Sequence, residues 1–194
     1  MLRKIRVVLI CGTAALCLGA CAKSQGADNN GQTGSSGDKS TNAIASAESA
    51  APASIAHNAT IVAPDASGNM KTLRTGTNGW TCQPDSPASP GPDPMCWDGS
   101  AGKWLDAYTA HKPPPSEVVG IIYMLAGGSD AGNTDPFATK PHQGEDWVTT
   151  GPHIMIVGSK DVLNGYPDGV KPNTAAPFVM WAGTPYAHLM VPMK

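Results

Sequence analysis

The chain has 194 residues, with thirteen Lys and Arg against fifteen Asp and Glu, five His and five Cys. That length allows one ordinary domain, and the faintly acidic balance, with no basic stripe or Arg-rich segment, excludes a chain built to release phosphate counterions from nucleic acid. The low count of Phe, two, leaves five Trp and four Tyr to supply the bulk of any core.

In chain order, the first feature is Arg3, Lys4 and Arg6 ahead of an almost purely apolar run over residues 7–18. The run is too short to settle across a bilayer as a helix and has the layout of a signal peptide, expected over residues 1–20. Leu18-Gly19-Ala20-Cys21 follows and resembles the lipobox of bacterial lipoproteins. The resemblance implies cleavage before Cys21, diacylglycerol on its sulfur and a further acyl chain, such as palmitate, on the new amino terminus. Each buried methylene contributes ~0.8 kcal/mol, so two or three chains make the anchor lasting. The expected partner through that lipid is the membrane. Ala22 and Lys23 lack the Asp associated with inner-membrane retention, so the expected location is the outer membrane, facing the periplasm. Ala20-Cys21-Ala22 also fits an ordinary signal peptidase, which would give a soluble periplasmic or secreted protein. Without Arg3, Lys4 and Arg6 the ten remaining basic residues face fifteen acids, a formal charge of −5.

Residues 22–56 are mostly Ala, Ser, Gly, Asn, Asp, Gln and Lys, with Ile44 and Ile55 as the large apolar side chains. So little buriable surface predicts a disordered linker over 21–56. The folded domain is then expected over 57–194. Its apolar runs are short, β-branched or aromatic, and punctuated by Gly, Pro, Asn and Asp: 59–63, 71–75, 80–82, 118–126, 153–157, 178–181 and 188–191. These predict strands. Asn78-Gly79 predicts a tight hairpin between the second and third runs, and Gly183-Thr184-Pro185 predicts a turn joining the last two.

One segment reads as helix, about 101–112. Ser100 can cap it, Trp104, Tyr108 and His111 recur at helical spacing, and Pro113-Pro114-Pro115 would end it. The fold class expected is therefore α+β, mainly β, an antiparallel β-rich domain with a single packed helix. The interval 127–151 would be a structureless loop, long enough to mark either function or a missed element.

After loss of Cys11 and Cys17 with the signal and lipidation of Cys21, only Cys82 and Cys96 remain, and an isolated pair in an oxidising compartment predicts a structural disulfide. The pair brackets a loop holding Pro84, Pro87, Pro90, Pro92 and Pro94, whose closure is worth ~3 kcal/mol in the chain-entropy account. Its spacing is not that of a redox C-x-x-C.

For a ligand, two patterns compete with plain core packing. His153-Ile154-Met155 and His188-Leu189-Met190 each place imidazole and thioether on one strand face; on neighbouring strands His153, Met155, His188 and Met190 could share a copper ion, since both donor types suit Cu(I). Met also serves as ordinary core filler, which is the plainer reading. The stretch 129–135, with His142, Glu145 and Asp146 beyond it, is oxygen-rich but lacks the EF-hand ladder, and turn chemistry accounts for it. No hydrolase signature is present, so a catalytic set is unknown; an unfamiliar site could still draw His111, His142, His153 or His188 together with Glu145 or Asp146. Trp and Tyr gathered on an exposed patch would instead mean an envelope protein or glycan partner.

The body, from Asn78-Gly79-Trp80-Thr81-Cys82 through Pro94-Met95-Cys96 to the run 181–188, looks like small exported bacterial proteins to which no activity is attached. The resemblance implies no site. The functional expectation is an envelope binding or structural module with no cofactor, with copper binding and catalysis as alternatives.

Overall fold

Eight strands hydrogen-bond into one mixed sheet, and the chain order explains how. The structure, a computed structural model, describes residues 36–194, with side chains from residue 42 onward. The expected signal peptide, the expected acylation site Cys21 and the first part of the expected linker lie outside the described residues.

The elements are α1 (Ser36–Glu48), α2 (Ala53–Ala56), β1 (Thr60–Pro64), β2 (Met70–Arg74), β3 (Thr81–Gln83), β4 (Met95–Trp97), α3 (Gly99–Thr109), β5 (Gly120–Met124), β6 (Gly128–Asp130), β7 (Val148–Thr150), β8 (His153–Val157), a 3-10 turn (Lys160–Leu163), β9 (Phe178–Met180) and β10 (His188–Pro192). The large sheet runs β2-β1-β3-β4-β5-β8-β10-β9, and β6 pairs with β7 in a second, two-stranded sheet. The class is α+β and mainly β, as the short β-branched runs predict.

Two details differ from a purely antiparallel layout. The β1–β3 pairing is parallel, Thr60 opposite Thr81 and Ile61 opposite Cys82. Consequently β2 and β3 do not meet, and Asn78-Gly79 is not a hairpin turn between them. Gly79 does take the left-handed backbone that the dipeptide favours, at φ 78°, but the Asn78 side chain spends its bonds elsewhere, donating to Ile55 O and accepting from Trp80 N. The turn at Gly183-Thr184-Pro185 does join the antiparallel pair β9 and β10.

The largest departure is at the start. Residues 36–56 are not a disordered linker: α1 and α2 pack on the sheet, with Ala47, Ala50, Ala51 and Ala56 buried against Ile61, Cys82 and Cys96. Ala loses no side-chain entropy on burial and has the highest helix propensity. A stretch poor in large apolar residues can therefore order itself when the bulk comes from the opposite side, here Trp80, Leu73 and Tyr123. Arg74 on β2 fixes the geometry through a 2.5 Å ion pair with Glu48 and donates to the carbonyls of Ala56 and Ala59.

The other face of the sheet carries α3. Its cap is Asp98 rather than Ser100: the Asp98 carboxylate accepts from Ser100 N and Ala101 N through one oxygen and from Ile121 N on β5 through the other. The helix stops at Thr109, short of the proline run. His111 adopts a left-handed backbone, and Lys112 N returns to Ala107 O while His111 N returns to Tyr108 O, the Schellman pattern of helix ends. Gly120 on β5 permits the close approach of the helix, since a Cβ there would sit 2.4 Å from the Ala101 nitrogen. Ala101 and Trp104 thereby join Ile122, Val157, Phe178, Met180 and Met190 in the second core.

Among the described residues no helix is long and apolar enough to cross a membrane.

Candidate functional site

Strand register decides which of the sequence's chemical groups share a surface. In β8 and β10 Met155 lies opposite Met190, while His153 faces Pro192 at one end. Side chains two apart share a face, so His153, Met155, His188 and Met190 all project toward α3. The two His-x-Met pairs are thus on neighbouring strands and in one layer. They do not close on a single point: four residues of strand separate the two histidine rows, about 13 Å along the strand axis. Met190 is sealed in the core beside Phe178.

The next strand adds a row that the sequence did not reveal. Met124 on β5 pairs with His153, and Met95, on β4 next to β5, brings a further thioether to the same side. Between this face and α3 lies a cavity of about 240 Å3, lined by Met95, Met124, Met155, His188, Asp93, Ser129, Asp130 and the aromatic wall Trp104, Tyr108 and Trp181, among others. A second hollow of about 260 Å3 shares Tyr108, Ser129, Asp130 and Trp181 with it.

Both histidines are held in one tautomer. His188 Nδ1 lies 3.0 Å from Tyr186 O and His153 Nδ1 lies 2.7 Å from Gly151 O. A carbonyl can only accept, so Nδ1 carries the proton in each ring and the lone pair is left on Nε2. Burial, opposed in part by the Tyr186 bond and reinforced by the charge His153 can carry, pushes His188 down to about 4. Burial also lowers His153, again against its backbone bond. Both rings are therefore neutral at neutral pH. His153 Nε2 is buried and makes no hydrogen bond. Its neighbour Cε1 sits beside Gly128, at the same spot as the Met124 methyl and Asp93 Oδ1.

The carboxylates come from places where the sequence offered turn or loop chemistry. Asp93 stands in the proline-rich loop closed by the Cys82–Cys96 disulfide, whose sulfurs are bonded at 2.06 Å. It accepts from Ser129 N at 2.7 Å and from the Ser89 hydroxyl. Burial raises it to about 6, against the lowering effect of the Ser129 bond and with a small further rise from Asp85. Asp130 stands on β6, inside the interval expected to be structureless. Burial, then the charge of Asp93, raises it to about 7. The disulfide thus does more than shorten a loop: it anchors the strand ends that present Asp93 and Met95.

The aromatic wall is rigid. Tyr108 stacks on Trp104 and on Trp181, each with a 2° interplanar angle, and Tyr186 meets Tyr108 edge-on. Trp181 takes a left-handed backbone, φ 54°, an outlier for a bulky residue that persists only where neighbours enforce it. The buried amide of Asn133 does so, accepting from Trp181 N while donating to Gly169 O and Val179 O. Trp104, Trp181 and Tyr186 are all buried, so these aromatics line an interior wall instead of forming the exposed patch a docking surface needs.

The remaining candidates lie elsewhere. Glu145 and Asp146 line a separate hollow of about 320 Å3, His142 lines another with Phe137, and His111 stacks on Phe137 at 4.0 Å. The two buried histidines bond backbone carbonyls and not carboxylates, so no His–carboxylate pair forms at the cavity. Among the described residues no three His, Cys, Asp or Glu side chains gather closely enough to hold a metal.

No family model, no curated protein and no solved structure matches this chain. The site is accordingly argued from its own geometry.

Proposed function

We propose that this is a lipid-anchored protein of the cell envelope that captures a small ligand in the cavity between α3 and the sheet. The lipobox resemblance at Cys21 supports the anchor, and acylation would hold the domain at the outer membrane on its periplasmic side. The observation that carries the binding role is the cavity itself. It is preformed, walled by locked aromatic rings and thioethers, and supplied with a few convergent polar groups, the usual make-up of a small-molecule site. Catalysis has less support, because the cavity's imidazole is oriented by the Tyr186 carbonyl and not by a carboxylate.

The test is a thermal-midpoint screen of the chain from Ala22 to Lys194, which contains every described residue, against soft metal ions, short glycans and envelope peptides. A ligand of the native state at a hundred times its Kd adds ~2.7 kcal/mol, a shift of several degrees. Stabilisation that disappears in Met155→Trp, which fills the cavity, supports the reading; stabilisation indifferent to that change, or none at all, defeats it. The anchor is tested separately by mass spectrometry of the membrane fraction, where Cys21→Ser should abolish both acylation and membrane retention.

A further inference from the structure

Resting on that cavity being the ligand site, we infer that its ligand is a small organic cation, a primary amine whose ammonium group pairs with the carboxylates of Asp130 and Asp93 while its carbon frame lies along the wall of Trp104, Tyr108 and Trp181. All five residues line the one cavity. Strand geometry brings the two acids to the same place. Side chains two apart on a strand share a face, so Asp130 on β6 projects to the side of Gly128, where a Cβ would stand 3.5 Å from Asp93 Oδ1 and 2.9 Å from the Met124 methyl. Tyr108 and Trp181 stand by the same acid. Both line the adjoining hollow together with Asp130, and the Trp181 indole donates to Gly132 O, two residues beyond it.

The lining selects the sign of the ligand. It holds two carboxylates and no Lys or Arg, and neither acid has an ion-pair partner among the described residues. Asp93 accepts from Ser129 N and from the Ser89 hydroxyl, and each carboxylate oxygen keeps a further lone pair for a ligand. Burial, with the charge of Asp93 added, holds Asp130 up to about 7, and burial holds Asp93 up to about 6; an ammonium group against them lets both ionise, because an opposite charge nearby favours the charged form.

An observation independent of the acids points the same way. His188 is only 2% exposed, its Nδ1 donates to Tyr186 O, and its Nε2 makes no hydrogen bond among the described residues. Yet that nitrogen is not one of the two sealed atoms without a partner, Thr150 Oγ1 and His153 Nε2, so the little exposure His188 has opens on the cavity that it lines. A neutral imidazole offers there a lone pair, which asks for a donor. An anion would meet two acids and an acceptor with no cation to pair it, a costly burial. The volume, about 240 Å3, falls below the ~300 Å3 at which drug-sized sites begin, which confines the ligand to a small amine.

The experiment titrates the chain from Ala22 to Lys194 calorimetrically with three amines, tyramine, phenethylamine and cadaverine, and with two counterparts of tyramine, para-ethylphenol, which lacks the ammonium group, and para-hydroxyphenylpropionate, which carries a carboxylate in its place. At least one amine should bind saturably, one per chain, and neither counterpart should. Asp130→Asn keeps the side chain's shape and should weaken the amine roughly tenfold or more, the scale of one charge-assisted hydrogen bond. Asp146→Asn, in a separate hollow, should change nothing. Counterparts that bind as tightly as the amine, or amine binding indifferent to Asp130→Asn, would overturn the inference. If no amine binds but another ligand stabilises the protein in a manner lost on Met155→Trp, the cation is refuted while the cavity's binding role stands. Loss of both refutes the two together.

Discussion

Thr150 Oγ1 and His153 Nε2 are buried polar atoms without a hydrogen-bond partner. Replacing a stranded hydroxyl by a methyl of the same shape removes a desolvation cost, so Thr150→Val is expected to leave stability unchanged or raise it by up to ~1 kcal/mol in denaturant unfolding. Asp130 makes a prediction with a pH signature. Its folded value, about 7, stands above the ordinary 3.8. The fold therefore favours the protonated acid, and the group's stabilising contribution is present below about 4 and is lost as pH rises through 7. The histidines act in the opposite sense. His188, lowered from 6.5 to about 4, stabilises the fold above 6.5 and loses that contribution as pH falls through 4. Asp130→Asn should accordingly raise the thermal midpoint at pH 8, with a gain that shrinks toward zero near pH 4. A gain that is constant with pH would mean Asp130 is not held protonated. At this scale the sequence was only partly legible. His-x-Met spacing pointed to one face of two strands, but Met95, Met124, Asp93 and Asp130 had no local pattern to mark them, since strand register and a disulfide-closed loop, not spacing, bring them to the cavity.

Elements with strong patterning declared themselves. The alternation through Ile122 and Met124 and the β-branched run 153–157 became β5 and β8 because each buries one face against α3. Three-residue strands such as β6 and β7 carry too few side chains for a period, and so 127–151 looked structureless. Helix α3 was visible through Trp104, Leu105 and Tyr108, yet its cap was not, because Asp98 and Ser100 both suit that role by type. The Asp98 carboxylate receives two amides of its helix and one of β5. Asp98→Ala should cost at least the ~1–2 kcal/mol of a lost cap, read as a lower denaturant midpoint at unchanged slope, whereas Ser100→Ala should change little.

For the whole molecule, the N-terminal helices are part of the fold. Cutting at His57, where composition changes, would expose Ile61, Trp80, Tyr123 and the disulfide, all of which pack against α1 and α2. A chain starting at His57 should therefore unfold at a clearly lower temperature than one starting at Ala22, and Arg74→Ala should reproduce a fraction of that loss. Equal midpoints for the two chains would show that α1 and α2 add nothing. The composition of 22–56 hid this because alanine contributes little on a hydropathy scale while packing well against large partners. The mixed sheet was hidden for a related reason: inserting β1 between β2 and β3 is a long-range choice that no local turn signal encodes.

The claim on which the functional account rests is that the cavity under α3 receives the ligand. Methionine methyl NMR of the chain from Ala22 to Lys194, recorded during titration with any ligand found by thermal shift, tests it most directly. The account predicts that the methyls of Met95, Met124 and Met155 shift together as binding saturates while those of Met70 and Met193 stay in place. Saturable binding that leaves the three cavity methyls unmoved would contradict it.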